Sequence, residues 1–165
     1  VQEASAKWLD LLKIYKDLEI HMVGGLQSNK IKEALSLFTC IHSVDRKKIL
    51  EGINKSLSKD SLLKDVFIQV NISNESSKGG IGVSEIDSFL EGSKNYKKIN
   101  ILGLMTMPPP NEEPSVYFAL LNKLAKKNSL KYLSMGMSND FETAIALGAT
   151  HIRVGEAVMG PRFQI

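Results

Sequence analysis

The sequence predicts an α/β protein with a parallel sheet. Six short segments rich in β-branched and apolar residues alternate with six segments whose apolar residues recur at helical spacing. Such alternation is typical of βαβ units, in which a helix connects two parallel strands. Neither a proline-rich linker nor a change in composition divides residues 1–165, so we expect a single domain. The predicted strands are 20–24, 40–44, 66–71, 101–106, 132–137 and 151–155.

The first half of the chain contains three of these strands. Residues 1–17 carry apolar side chains at helical spacing, and the strand at 20–24 ends in glycine. A second helical pattern leads into the strand at 40–44, after which Asp45 is expected to cap a helix. The strand at 66–71 is the clearest in the sequence because it is rich in β-branched residues.

The second half repeats the pattern. The glycine cluster Gly79-Gly80-Ile81-Gly82 matches no phosphate-binding fingerprint and is interpreted as a flexible loop. The strand at 101–106 runs into Pro108-Pro109-Pro110, where a loop must begin because proline continues neither a strand ladder nor a helix. The strands at 132–137 and 151–155 follow, with a helix between them.

Two architectures fit this order of elements. Six βα units form an open doubly wound sheet without strain. A complete (β/α)8 barrel needs two more units and typically about 250 residues. The pattern alone therefore slightly favours the open sheet.

Composition argues against several functional classes. The net charge is only +3 and the lysines are scattered, so no nucleic-acid surface is expected. No apolar run approaches the roughly 20 residues of a membrane span, and the N-terminus does not resemble a signal peptide. Cys40 is the only cysteine and reads as a buried free thiol. We therefore expect a cytoplasmic protein.

Candidate chemistry lies where the predicted strands end, because this is the working face of both architectures. Asn71 stands at one such end. The segments 134–140 and 153–160 each place a strand end against a helix start, where backbone N–H groups and a serine hydroxyl can bind an anion. Ordinary βα turns are the alternative. Arg153, inside an apolar strand, indicates either a barrel interior with a polar partner or an edge strand facing water.

Metal and nucleophile chemistry are not indicated by the spacing of residues along the chain. His21, His42 and His151 lie in or before strands, without metal-ligand spacing and without an accompanying cluster of cysteines or carboxylates. The sequence contains no nucleophile elbow. We therefore expect neither a metal site nor a Ser-His-Asp triad.

Several longer segments resemble the pyridoxal phosphate homeostasis family, which is related to the N-terminal barrel of alanine racemase. The segments occur in the family's order and extend over essentially the whole chain, ending near Phe163. They are 21–30 (HMVGGLQSNK), 41–45 (IHSVD), 69–72 (QVNI), 103–106 (GLMT), 133–141 and 153–155 (RVG).

The resemblance implies a parallel TIM-type (β/α) barrel that carries pyridoxal 5'-phosphate. It further implies that amides around Met137, Ser138, Gly155 and Glu156 hold the phosphate and that Arg153 stands near the pyridine nitrogen. Together with Asn71, these are the expected cofactor-binding residues. A cation beside the pyridine nitrogen disfavours its protonation and weakens the ring as an electron sink. The implied role is cofactor homeostasis without robust turnover.

The chain also departs from the family pattern. Its start resembles the segment after the family's second strand, so we expect an incomplete barrel of about six of eight units, without the Schiff-base lysine and its strand. Lys30 and Lys78 are interpreted as loop or helix-start lysines. Glu156 replaces a small hydroxyl residue and would repel a phosphate unless it turned away.

Three functions stay open at this point. The chain is a truncated cofactor carrier, a racemase-like enzyme, or one part of a split barrel that another chain completes. Its expected partners are accordingly the cofactor and either an N-terminal fragment or a second copy, joined through exposed sheet edges.

Overall fold

A computed structural model of the chain describes residues 1–75 and 78–160. Within these residues, helices and strands alternate almost throughout. The helices are α1 (Gln2–Ile14), α2 (Ile31–Leu35), α3 (Lys47–Ser56), α4 (Ile86–Ser93), α5 (Pro114–Lys127), α6 (Phe141–Ala146) and α7 (Glu156–Met159). The strands are β1 (His21–Met22), β2 (Cys40–Val44), β3 (Asp65–Asn71), β4 (Ile81–Gly82), β5 (Asn100–Met105), β6 (Tyr132–Met137) and β7 (His151–Arg153).

The strands form one sheet in which all pairs are parallel. The main order is β1-β2-β3-β5-β6-β7, and β4 pairs with the end of β3 beside this path. Each main strand therefore neighbours the next main strand along the chain, which is the connectivity of a (β/α) barrel rather than of a doubly wound sheet.

The sheet is strongly curled. Six flat strands would place β1 and β7 roughly 24 Å apart, at about 4.8 Å per strand spacing. Instead, the ring of His21 on β1 lies with its centroid 6.2 Å from that of His151 on β7. The prediction of an incomplete TIM-type barrel is thus confirmed, and the open sheet slightly favoured by the pattern alone is wrong.

The main core fills the space between the convex face of the sheet and the helices. Alternate residues of β3 point into it, among them Val66, Ile68 and Val70, and they meet buried helix residues such as Ile53 and Phe118. A second, small cluster of Cys40, Phe67 and Met105 lies on the other side of the sheet. The buried side chains of His42 and Ser134, which contact each other, also lie on this concave side.

One glycine sets a close strand contact. A Cβ atom added to Gly103 in β5 would lie 1.8 Å from the carbonyl oxygen of Tyr132 in β6. Only glycine allows these two strands to approach so closely, and the approach brings the end of β6 to the end of β5.

Two local predictions need correction. Asp45 does not cap α3, because its carboxylate accepts hydrogen bonds from the guanidinium of Arg46, which is itself the N-cap. The cluster 79–82 is not simply a loop, because Ile81 and Gly82 pair with Val70 and Asn71. Gly80 makes this return possible with φ +126°, a backbone angle that side chains disfavour.

No helix of the described segments is both long enough and apolar enough to cross a lipid bilayer. Phe163, near which the family-like segments end, lies outside the described residues.

Candidate functional site

The strand ends of β6 and β7 border a cavity of about 620 Å³ at the carboxyl edge of the sheet. This volume is within the usual range for small-molecule sites. Five of the six residues expected to bind the cofactor line this cavity, namely Met137, Ser138, Arg153, Gly155 and Glu156. The proline run 108–110 forms the opposite wall.

Asn71, the sixth residue, organises a neighbouring loop instead. Its side-chain Nδ2 donates to the carbonyl oxygens of Glu75 at 2.7 Å and Lys78 at 3.2 Å, and its Oδ1 accepts from the N–H of Glu75. All polar atoms of this side chain are thus engaged with the segment that leads back to β4. Asn71 is not among the residues that line the cavity.

Ser138 is the point at which the two strand ends meet. Its Oγ accepts hydrogen bonds from the backbone N–H groups of Gly155 and Ala157, each at 3.3 Å. Both amides, which precede or begin α7, therefore converge on this one oxygen. An anion bound here would accept from these amides in place of the hydroxyl oxygen.

Gly136 shapes the turn between β6 and α6. It has φ +94°, and a Cβ atom there would lie 2.6 Å from Cβ of Ala144. The turn lets Oδ1 of Asp140 accept from the backbone N–H of Met137 at 2.6 Å. The Met137 amide, expected to face a phosphate, therefore serves the helix start instead.

Arg153 points into the barrel interior, which decides between the two alternatives for this residue. It donates from one terminal nitrogen to Oγ of Ser134 and from the other to the carbonyl oxygen of Thr106, both at 2.9 Å. Its Nε is buried without a hydrogen-bond partner. Burial lowers the pKa of the guanidinium, whereas nearby Asp140 acts to raise it.

Ser134 connects this arginine to two histidines. Its Oγ is hydrogen-bonded to Nδ1 of His42 at 2.7 Å, and Nε2 of His42 is hydrogen-bonded to Nδ1 of His21 at 3.0 Å. The ring of Phe67 stacks on His42 with centroids 4.5 Å apart. Burial, then the neighbouring histidines and Arg153, lower the pKa of His42 to about 3, so it is neutral at physiological pH.

Sequence reasoning missed Ser134 and the role of His42. A signal was present, since residues two apart in a strand share a face and His42 lies two residues after Cys40. Spacing along the chain did not indicate a metal site, but in the structure ligand atoms of His21, Cys40 and His42 lie within 4.8 Å of one another.

The lysines singled out in the sequence lie in ion pairs. Nζ of Lys30 is 3.1 Å from Oε2 of Glu33, and Nζ of Lys78 is 2.9 Å from Oε1 of Glu75. Neither residue lines the cavity at Ser138, and no other lysine of the described segments does so. Glu156 lines it and is exposed.

Comparison with known proteins identifies relatives over almost the whole chain. The family model "Alanine racemase, N-terminal domain" matches residues 3–162. The pyridoxal phosphate homeostasis protein of Aquifex aeolicus is 39% identical over 171 residues, which cover 98% of this chain and 74% of the relative. That of Pseudomonas aeruginosa is 35% identical and is covered to 72%.

Solved structures agree with these matches. PipY of Synechococcus elongatus, 32% identical, superposes with a TM-score of 0.89 without PLP and 0.83 with PLP bound. Each superposition covers 96% of this chain and 78% of PipY. Alanine racemase of Corynebacterium glutamicum, 16% identical, reaches a TM-score of 0.66 over 92% of this chain and 44% of its own, a likeness of fold alone.

Proposed function

The chain belongs to the pyridoxal phosphate homeostasis family, and from that membership we propose that it binds pyridoxal 5'-phosphate in the cavity at Ser138 and serves the homeostasis of this cofactor. One observation carries the proposal: Ser138 with its two convergent amides and the buried Nε of Arg153 border the same cavity. The first group suits a phosphate, and the second is a donor left for a ligand.

The residues present fit the cofactor in part. The Ser138 hydroxyl would hold the phosphate, together with the amides of Gly155 and Ala157 once these donate to the phosphate instead of to Ser138 Oγ. Arg153 would face the polar ring. Glu156 opposes phosphate binding through its charge, and the Met137 amide is already engaged by Asp140. Asn71 would act indirectly by holding the loop before β4. We therefore expect binding that is weaker than these contacts alone would give.

The proposed role is to hold the cofactor rather than to catalyse its turnover. When bound, pyridoxal 5'-phosphate supplies a reactive aldehyde and an electron-withdrawing ring. Arg153 stays charged, since a guanidinium keeps its proton in proteins, and it can donate to a ring nitrogen but not protonate it. The names of the relatives, which refer to homeostasis, support the same role.

The test is a titration of the full chain with pyridoxal 5'-phosphate and, separately, with inorganic phosphate, followed by backbone amide shifts. We expect shifts concentrated at residues 136–140 and 154–157, and a loss of most of them in Ser138→Ala. Ser88→Ala is the matched control, because Ser88 is exposed on α4 and donates only to Glu85 O. Shifts spread over surface lysines would contradict the proposal.

A second measurement separates holding from covalent attachment. The chain is incubated with pyridoxal 5'-phosphate, reduced with borohydride and weighed intact. We expect no stoichiometric adduct, because the lysines singled out above are held in ion pairs away from the cavity. A single adduct on Lys30 or Lys78 would overturn this expectation.

A further inference from the structure

We propose that His21, Cys40 and His42 form a binding site for a zinc-class divalent ion inside the barrel, distinct from the cavity at Ser138. One ligand atom from each of these residues lies within 4.8 Å of the other two. Two imidazoles and one thiol form a ligand set suited to Zn²⁺ and unsuited to Mg²⁺ or Ca²⁺, which prefer oxygen. The proposal does not depend on the binding of pyridoxal 5'-phosphate.

The register of the sheet creates this convergence. His21 of β1 lies directly opposite Cys40 of β2 in the parallel pair. Cys40 and His42 are two residues apart in β2 and therefore share the concave face. All three ligands thus come from two hydrogen-bonded strands, whose relative position backbone hydrogen bonds fix.

The nitrogen–nitrogen distance is close to that of a metal site. Nδ1 of His21 and Nε2 of His42 are 3.0 Å apart. Two nitrogens that bind one tetrahedral Zn²⁺ at about 2.0–2.1 Å lie roughly 3.3 Å from each other. Binding therefore requires the nitrogens to separate by a few tenths of an ångström and the rings to turn until both lone pairs point to the ion. Sγ of Cys40, within 4.8 Å of both nitrogens, must also move closer.

His42 is already oriented as a metal ligand. Its far nitrogen, Nδ1, is hydrogen-bonded to Ser134 at 2.7 Å, so Nε2 faces His21. A ligand histidine whose other nitrogen is held by a polar partner is the usual arrangement at metal sites. Ser134 Oγ has two lone pairs and can accept from His42 and from Arg153 together. Phe67 packs on the ring and limits its motion.

The ligand set also suits the charge of the ion. Zinc binds histidine as the neutral imidazole and cysteine as the thiolate. A thiolate at Cys40 would offset the positive charge of the ion near Arg153.

An opening leads from solvent to the histidines. A cavity of about 610 Å³ between β1 and β7 is lined by His21, His42 and His151, among others. His151 lies further from the ligand set, with ring centroids 6.2 Å from His21 and 5.7 Å from His42. Three protein ligands and one position open to water make the site resemble an open zinc centre rather than a closed structural one.

The experiment uses the full chain without a polyhistidine tag, stripped with chelator and titrated with Co²⁺ as a probe for Zn²⁺. We expect one equivalent to produce the visible bands of tetrahedral cobalt and a sulfur-to-cobalt charge-transfer band, both removed by Zn²⁺. Cys40→Ser should abolish the charge-transfer band, and His21→Gln should weaken binding by at least about tenfold. His151→Gln is the matched control and should retain the affinity, since His151 lines the same opening outside the ligand set.

A second measurement uses the wild-type protein, so its result does not depend on whether a variant folds. Calorimetric titration with Zn²⁺ should show one ion bound per chain. Absence of stoichiometric binding, or an unchanged charge-transfer band in Cys40→Ser, would overturn the proposal. An equal loss of affinity in His151→Gln and His21→Gln would also overturn it, because it would indicate a diffuse imidazole cluster.

Discussion

At the scale of single residues, His42 connects the polar side chains inside the barrel. It is hydrogen-bonded to His21 on one side and to Ser134 on the other, and Ser134 in turn accepts from Arg153. These contacts join β1 and β2 at one end of the strand order to β6 and β7 at the other end. A single neutral imidazole thus helps to hold the two ends of the curled sheet together.

The first prediction concerns acid sensitivity at His42. Its pKa is about 3 in the folded chain and 6.5 in the unfolded chain. Below pH 6.5 the unfolded state binds more protons, so the free energy of unfolding falls as the pH decreases toward 3. The stabilising contribution of neutral His42 is fully present only above pH 6.5. The free energy of unfolding should decrease by about 2 kcal/mol between about pH 6.5 and about pH 5.

Urea unfolding with chelator present measures this slope. His151 contributes in the same direction, because burial also lowers its pKa. In His42→Gln the decrease should be clearly smaller, even though that variant starts less stable at pH 7.5. An identical pH dependence in the variant and the wild type would show that His42 does not titrate on unfolding.

The second prediction concerns Glu156, whose exposed carboxylate borders the proposed phosphate position. Glu156→Ser should raise the affinity for inorganic phosphate by about threefold to tenfold at low salt, because it removes a like charge. Glu142→Ser is the control, since Glu142 is also exposed and near the start of α6 but does not line the cavity. Equal effects of both changes would reflect net charge only.

At the scale of elements, the close packing of neighbouring strands determines the geometry of the site. The contact between β5 and β6 is the clearest example. Gly103 permits their close approach, and Arg153 of β7 reaches across β6 to Thr106 just after β5. The carboxyl ends of three strands are thereby tied together beside the cavity. The site depends on backbone proximity as much as on its own side chains.

The third prediction tests that proximity. Gly103→Ala should destabilise the fold by about 2–4 kcal/mol, because the new methyl group would overlap the carbonyl oxygen of Tyr132. Gly92→Ala is the matched change, since nothing lies within 4 Å of a Cβ atom at that helical position. It should stabilise by about 0.5–1 kcal/mol. Thermal or urea unfolding of both variants measures the contrast, and a mild effect at Gly103 would contradict it.

Helices and strands with a clear residue pattern could be predicted more accurately than those without one. The strand at 66–71 was found almost to the residue, because it is buried on both faces and rich in β-branched residues. The strands at 20–24 and 151–155 are shorter in the structure, at His21–Met22 and His151–Arg153, since each pairs on one side only. The strand at 81–82 was missed because two residues between glycines carry no periodicity.

Unequal pairing across the sheet is the main feature of the molecule as a whole. β3 and β5 have strand neighbours on both sides, whereas β1 and β7 are the ends of the strand order among the described residues. Backbone hydrogen bonds of the central strands are therefore protected both by side-chain packing and by strand neighbours on two sides. Backbone hydrogen bonds of the end strands break in smaller local unfolding events.

The fourth prediction follows from this order. Amide hydrogen exchange under native conditions should be slowest in β3 and β5, and at least about tenfold faster in β1 and β7. The measurement is exchange resolved by residue, at the same pH as the titrations. Uniform protection across all six strands would contradict it and would indicate that another chain or copy covers the ends.

The candidate sites differ in how far the sequence could reveal them. The two segments 134–140 and 153–160 were expected at one edge of the sheet, because the carboxyl ends of parallel strands meet there, and residues of both border the cavity at Ser138. The cluster of His21, Cys40 and His42 was not expected, because it depends on which residue of β1 lies opposite which residue of β2. That pairing is set by packing across the whole sheet, and spacing along the chain does not encode it.

The two faces of the sheet have different roles: one provides most of the apolar core, and the other carries polar side chains inside the barrel. The convex face, packed against the helices, supplies most of the buried apolar surface. On the other face, the described residues form one small buried apolar cluster of Cys40, Phe67 and Met105. Most of the heat-capacity change of unfolding must then originate on the convex face. Substitutions of the polar residues on the concave face remove little buried apolar surface, so they should lower the free energy of unfolding less. Evolution can thus replace interior chemistry on this scaffold while the helix-facing layer keeps the chain folded.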